Sequence, residues 1–190
     1  MKNKKGLIIV LAVIAVIAIF AGSIVSSYNS LVDERETVTN AQANIQTMLQ
    51  RRADLIPNLV NTVKGYAAHE EEVYTAIADA RSKLSGATTV DEMEKANTEL
   101  DSAISRLLVV VENYPELKAD TQFINLQDEL AGSENRISVA RKDYNDVAKA
   151  YNTHIKKFPA NIIASMFNFE QAEYFEASSE AQTAPSVNFD

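Results

Sequence analysis

An unbroken apolar run near the N-terminus constrains this chain most. Residues 7–20 read LIIVLAVIAVIAIF, and residues 21–25 extend the run with Gly22 and Ser23 as weak interruptions. About 19 residues of α-helix span roughly 28 Å, close to the thickness of the hydrocarbon layer of a bilayer. A core helix of a soluble protein would have a polar face, and this run has none. The sequence therefore predicts a transmembrane helix over residues 7–25, after a short basic stub at residues 1–6.

A cleaved signal peptide is the alternative, because it also has a basic start, an apolar run and small residues near its end. The length of the run and the imperfect Ala-x-Ala pattern at residues 21–23 favour a retained anchor. Lys2, Lys4 and Lys5 precede the run, whereas residues 33–36 carry a net negative charge. The positive-inside rule then predicts a cytoplasmic N-terminus and a domain on the other side of the membrane.

The charge of the rest of the chain argues against nucleic acid as a partner. Of 18 basic residues three stand in the stub, which leaves 15 against 26 acidic residues and a net charge of −11. Such a domain repels phosphate backbones. The absence of cysteine excludes disulfides, thiolate zinc sites and cysteine nucleophiles.

Beyond the anchor, apolar positions recur at steps of three and four, the spacing of a helix packed along its length in coiled-coil or bundle fashion. The pattern predicts one very long first helix that ends near Ser85-Gly86. We expect a kink near Asp54–Pro57, because proline removes a helical hydrogen bond. The positions are Val38, Ala41, Ile45, Met48, Arg52, Leu55, Leu59, Val63, Tyr66, Glu70, Val73, Ile77, Ala80 and Leu84.

Three further helices follow. The second is predicted over residues 90–113, where Thr89 and Glu92 have the spacing of a capping box. The third spans residues 119–157, and a short fourth begins at Pro159. The aromatic segment 158–175 either caps the core or forms a docking or membrane-surface element, although Glu170, Glu173 and Glu176 argue against a surface of anionic lipid.

The predicted first helix is longer than the second by about 30 residues, or roughly 45 Å. Its membrane-proximal apolar stripe would therefore extend beyond its neighbour, although leaving each such side chain in water costs about 1.5–3 kcal/mol. A second copy of the chain, a partner protein or the C-terminal segment should cover it. We favour self-association into a homo-oligomer, with these contact residues: Val38, Ala41, Ile45, Met48 and Arg52.

The search for chemistry yields no catalytic, cofactor-binding or metal-binding residues. His69 and His154 lack the Glu-x-x-His spacing of di-metal helical bundles, and both are predicted to be solvated helix residues. No phosphate loop, nucleophile elbow or zinc-protease motif occurs. Polar residues on or near the helical seams, Arg52, Glu70, Glu134 and Arg141, either fix the register through pairing or extend to the surface.

Several short blocks of sequence stand out along the chain: YNSLV at residues 28–32, RRADLIPNLV at 51–60, VKGYA at 63–67, HE at 69–70, YPELKA at 114–119, LQDEL at 126–130, ENRI at 134–137, ARKDYN at 140–145, FPAN at 158–161 and APSVNF at 184–189. Over essentially the whole chain these blocks resemble the LemA family of bacterial membrane proteins. Their number and order make the resemblance specific.

The resemblance implies a single-pass protein of the bacterial inner membrane and an all-α fold. The transmembrane helix would precede an elongated up-and-down antiparallel four-helix bundle over residues 26–178, followed by an extended tail at residues 179–190. It implies a membrane-organising role and work beside envelope proteins such as membrane proteases. It implies no established enzymatic activity.

The leading hypothesis is a membrane-anchored scaffold or adaptor that self-associates and binds envelope or membrane proteins without catalysis. The alternative is an enzyme or metal-dependent catalyst with a site hidden in the bundle core. Candidates for structural pairing or partner recognition are Arg51, Asp54, Asn58, Glu70, Glu134, Asn135, Arg136 and Arg141.

Overall fold

The computed structural model describes residues 2–176, with side chains from residue 6 onward. This part of the chain is helical and contains no strand, which confirms the all-α prediction. The elements are α1 (Lys2–Lys64), α2 (Glu71–Gly86), α3 (Val90–Val111), α4 (Pro115–Lys118), α5 (Thr121–Lys156) and α6 (Ala160–Met166). The predicted tail at residues 179–190 lies outside the described residues.

The apolar run forms the N-terminal part of α1. Every described side chain from Gly6 to Ser26 is exposed, and an 18-residue window of this helix has a mean hydropathy of 3.1. Exposed aliphatic side chains over this length are unfavourable in water and suit the interior of a bilayer. The long apolar helix thus suggests a membrane anchor.

The prediction of one helix reaching residue 84 is wrong. Helix α1 passes through Pro57 without a break, and the chain turns instead at residues 65–70. There the backbone N–H groups of Tyr66 and Ala67 both donate to the carbonyl of Val63, at 3.0 and 2.9 Å. The apolar stripe continues across this turn because α1 and α2 both bury one face. Periodicity reports the buried face and does not report whether the helix is continuous.

The second predicted helix is confirmed as α3. Thr89 accepts a hydrogen bond from the backbone of Glu92, whose carboxylate accepts from the backbone of Thr89 in return. The backbone N–H groups of Thr88 and Thr89 lower the pKa of the Glu92 carboxyl from 4.5 to about 2. This reciprocal capping satisfies N–H groups that the first turn of a helix leaves without partners.

The described chain divides into two compact units, to both of which α1 and α5 contribute. The first unit comprises residues 2–40 and 146–172. In it, Leu31 of α1 is fully buried, and Glu34 of α1 lies 2.8 Å from Nδ1 of His154 on α5. His154 is therefore half-buried and paired, whereas we predicted a solvated residue; His69 is exposed in the turn before α2.

The second unit comprises residues 41–145 and 173–176. Helix α2 runs back along α1, since Arg81 Nε donates to the carbonyl of Ala53 at 2.9 Å and Gln42 donates to the carbonyl of Thr88 at 3.0 Å. Helix α3 packs against α2. The core of this unit is aliphatic and aromatic, and its fully buried residues include Ile45, Leu59, Leu100, Leu107 and Ile137.

Candidate functional site

The guanidinium of Arg52 on α1 is a buried charged group of the second unit. Its Nη1 atom donates to Asn97 Oδ1 of α3 at 2.7 Å and to Glu134 Oε2 of α5 at 2.5 Å. Its Nη2 atom lies 2.5 Å from Asp101 Oδ1 of α3, and Asn97 also donates to Asp101 at 3.1 Å. One side chain thus connects three helices. We call these four residues the Arg52 cluster.

The charges of the Arg52 cluster favour a structural role. The Arg52 side chain is only 6% exposed, whereas those of Asp101 and Glu134 are 45% and 39% exposed and retain contact with water. Two carboxylates offset the desolvation of one buried cation, as buried charges require. The cluster contains no nucleophile and no free general base, and its hydrogen bonds join α1 to α3 and α5.

Arg51, the residue before Arg52, has the opposite environment. Arg51, Asp54 and Asn58 are all exposed on one face of α1. Asp54 accepts from Gln50 at 2.9 Å and lies 3.9 Å from Arg81 Nη2. The side chains of Arg51 and Asn58 have no hydrogen-bond partner among the described residues. We call Arg51, Asp54 and Asn58 the polar stripe.

The structure overturns the reason for predicting a second copy on the stripe of α1. Val38, Ile45 and Arg52 are buried by the chain itself, and Ala41 and Met48 are half-buried. Both α3 and the long return helix α5 supply part of this cover, as the contacts of Arg52 with Asn97 and Glu134 show. The length comparison behind the prediction considered the second predicted helix and left out the long return helix. Self-association through these residues stays a prediction without that support.

The other predicted polar residues lie apart from the Arg52 cluster. Glu70 is the residue before α2, where its carbonyl accepts from Tyr74, and it does not lie on a helical seam. Asn135 and Arg136 are exposed on α5. Arg141 lies 5.4 Å from the centre of the Phe175 ring, and its Nε and Nη2 atoms are buried without a hydrogen-bond partner among the described residues.

Two asparagines of α5 that we did not single out hold the chain after α6. Asn152 and the backbone of Ala172 exchange two hydrogen bonds of 2.8 Å. Asn145 exchanges two with the backbone of Phe175, at 2.8 and 3.0 Å. The hydroxyl of the tyrosine before each asparagine also donates to this segment, and burial raises the pKa of both Tyr144 and Tyr151.

Within residues 6–176 no group of three or more His, Asp or Glu side chains converges to hold a metal ion. Surface depressions exist; one of about 420 Å³ is lined by residues of α5 such as Lys149 and His154. None of those described coincides with the Arg52 cluster. Among the described residues, the arrangement of polar groups therefore offers pairing and recognition.

The fold defines a class: an all-helical protein whose long apolar N-terminal helix suggests a membrane anchor. The profile of the LemA family matches residues 41–189. The chain belongs to the LemA family.

Curated relatives cover most of the chain. The protein named Magnetosome protein MamQ 2, from Paramagnetospirillum magneticum, is 28% identical over 93% of this chain and 74% of its own length. Magnetosome protein MamQ of Magnetospirillum gryphiswaldense is 25% identical over the same shares. Protein LemA of Metamycoplasma hominis is 29% identical over 89% of this chain and 78% of its own length. None of these names denotes an enzyme.

Proposed function

We propose that this chain is a membrane-anchored helical adaptor, which binds other membrane or envelope proteins and carries out no catalysis itself. The observation that carries the proposal is the contrast on α1 between the Arg52 cluster and the polar stripe. Both terminal nitrogens of the Arg52 guanidinium are engaged within the cluster, while Arg51 and Asn58 are exposed and have no side-chain hydrogen-bond partner among the described residues.

The second unit is proposed to be an antiparallel four-helix bundle of α1, α2, α3 and α5. Support comes from the return of α2 along α1 and from the contacts of Arg52 with both α3 and α5. Such a bundle holds its surface side chains on rigid helices, which lowers the entropy lost on binding a partner. Side chains held rigidly in this way suit the binding of a partner protein by the polar stripe.

The polar stripe is the proposed partner surface. An exposed arginine can donate to a carboxylate in a bidentate manner, and an asparagine can both donate and accept. Asp54 between them adds an acceptor. A partner with complementary polar groups therefore fits this surface better than a purely apolar partner. Self-association belongs to the same proposal, with Ala41 and Met48 as the part of the predicted contact that the chain leaves half-covered.

Photo-cross-linking in intact cells tests the proposal. A photoreactive amino acid at Asn58 should capture a membrane or envelope protein, and the same group at exposed Val139 on α5 is the matched control. Capture from Asn58 that is absent from Val139 supports the adaptor function. Equal products from both positions, or none from either, would contradict the polar stripe as the binding surface.

The proposal includes the inner membrane of a bacterium and a domain outside the cytoplasm. Because the chain lacks cysteine, a single Asn125→Cys variant reports the side of the membrane. An impermeant thiol reagent added to whole cells with a permeable outer membrane should label this variant. Labelling only after the inner membrane is broken would reverse the proposed topology.

A further inference from the structure

The segment at the end of α5 and through α6 exposes an unusual amount of apolar surface. Phe158 is 81% exposed, Met166 65%, Ile162 50% and Phe167 49%. Helix α6 is amphipathic at the same time, since Ala160, Ile163 and Ala164 on its other face are buried. We call Phe158, Ile162, Met166 and Phe167 the apolar patch. A contiguous patch of this kind indicates a surface that meets something other than water.

One residue of the apolar patch, Phe167, lies beside the end of the anchor within the first unit. The ring of Tyr28, three residues beyond the last apolar residue Val25, is 4.8 Å from the ring of Phe167 and 5.7 Å from that of Phe169. Three residues of α-helix advance by about 4.5 Å. Along α1, Ile24 is 39% exposed, against 72% at Ile19 and 59% at Val25, so partial cover of one face of this helix begins in the last turn of the apolar run.

The backbone after α6 returns the chain toward α5 and leaves α6 on the anchor side. Asn168 adopts a left-handed conformation with φ of 54°, and the N–H of Phe169 donates to the carbonyl of Ala164 at 2.9 Å. This is the geometry of a helix that ends in a sharp reversal. Phe169 then lies under Arg35, 5.1 Å away, and the hydroxyl of Tyr151 donates to Glu170.

The charges around the apolar patch match a bilayer surface. Residues 147–169 contain Lys149, Lys156 and Lys157 and no acidic residue, although the whole chain carries a net charge of −8. Lys156 and Lys157 are exposed and directly precede Phe158. Lysines beside exposed aromatic side chains suit anionic headgroups above an apolar layer. The acidic residues from Glu170 onward belong to the segment that returns along α5.

From these observations we infer that the apolar patch is a second membrane contact: it inserts into the interface of the same bilayer that α1 spans. Phe158, Ile162, Met166 and Phe167 occupy the boundary of the acyl chains, and Lys156 and Lys157 lie at the phosphate groups. The anchor and the patch then hold the first unit at two points, which restricts its tilt against the membrane. The inference rests on the anchoring that the proposed function contains.

Tryptophan fluorescence of the full chain in vesicles tests this inference, because the protein contains no tryptophan of its own. We would reconstitute Phe158→Trp into vesicles of phosphatidylcholine and phosphatidylglycerol with brominated acyl chains, which quench indole fluorescence on contact. The matched controls are Phe20→Trp inside the anchor and Val139→Trp on α5. All three positions are exposed, so these substitutions need not disturb the core.

The inference predicts that Phe158→Trp loses roughly half or more of its emission to the brominated lipid, as Phe20→Trp does, because both contact acyl chains. Val139→Trp should keep its emission and be quenched by iodide in water. Quenching of Phe158→Trp by iodide alone would overturn the inference. Protection from both quenchers would overturn it as well, since a protein and not lipid would then cover the patch.

The Phe20→Trp control separates the two proposals. If it is quenched by brominated lipid while Phe158→Trp is not, the anchor stands and only the second membrane contact fails. If Phe20→Trp is itself not quenched, the anchoring in the proposed function is contradicted, and the inference fails with it.

Discussion

Arg51 and Arg52 are adjacent in the sequence and lie in opposite environments on α1. Arg52 is buried and bonded to α3 and α5, whereas Arg51 is exposed and has no hydrogen-bond partner among the described residues. A helix rotates by about 100° per residue, so one position can serve the core and the next the surface. Substitution of Arg52 therefore tests the stability of the protein, and substitution of Arg51 tests its proposed binding function.

Replacing Arg52 should destabilise the fold. In Arg52→Met, Asn97, Asp101 and Glu134 lose the hydrogen bonds from the guanidinium, and we expect the free energy of unfolding to fall by roughly 1–3 kcal/mol. The loss stays in this range because Asp101 and Glu134 are partly exposed and can rehydrate. Urea denaturation of the full chain in detergent measures it. The control Arg51→Met should change the free energy of unfolding by less than about 0.5 kcal/mol. Equal effects of the two substitutions would contradict the structural role of Arg52.

Ile45→Asp should unfold the second unit instead of merely preventing assembly. Ile45 is fully buried, and the carboxylate of the variant would have no counter-ion in an apolar core. We expect a loss of at least about 3 kcal/mol of folding free energy. Circular dichroism during thermal unfolding reports it, with exposed Asn44→Asp as the control. A variant with the parent's melting temperature would show that Ile45 is not in the core.

Asn152→Ala should release the segment after α6. Both hydrogen bonds to Ala172 are lost, at a cost of roughly 1–3 kcal/mol, so the backbone there opens more often. Hydrogen exchange should show faster exchange of the Ala172 amide. The exposed Asn135→Ala variant should leave that rate unchanged. Unaltered exchange in Asn152→Ala would mean that the asparagine does not hold the segment.

The capping box of α3 predicts a specific pH dependence. The pKa of Glu92 is about 2 in the folded protein, against 4.5 ordinarily. Its carboxylate therefore stabilises the fold fully above pH 4.5, and this contribution is lost as the pH falls from 4.5 toward 2. The melting temperature of Glu92→Gln should lie below that of the parent at pH 7.

At pH 2.5 the gap between the parent and Glu92→Gln should be smaller, since the parent has by then lost most of the same contribution. Exposed Glu129→Gln is the control and should follow the parent at both pH values. A gap of unchanged size at pH 2.5 would contradict the assignment of the low pKa to the capping hydrogen bonds.

The helical class, the anchor segment and the capping box of α3 could be predicted from the sequence because each depends on local pattern. The turn at residues 65–70 could not, because the apolar stripe has the same spacing on both sides of it. Helix α1 continues through Pro57, and the break falls at Gly65 and the residues after it. Packing against α2 and α3 outweighs the cost of one missing hydrogen bond.

The Arg52 cluster could be predicted only in part from the sequence. Arg52 and Glu134 stood out as polar residues at or near a seam, but their pairing joins positions 82 apart in the sequence. Asn97 and Asp101 carried a weak signal, a polar pair four residues apart beside the inner face of α3. The asparagine contacts of α5 had a clearer signal that we did not use, since the dipeptide Tyr-Asn occurs at 144–145 and again seven residues later.

Recovery of partners by the full-length protein tests the adaptor account most directly. The parent and Arg51→Glu, both extracted in mild detergent after cross-linking in cells, would be purified and their bound membrane and envelope proteins compared. The account predicts that Arg51→Glu keeps the parent's melting temperature and loses most of the bound protein. Recovery of the same proteins in the same amounts by both would contradict it.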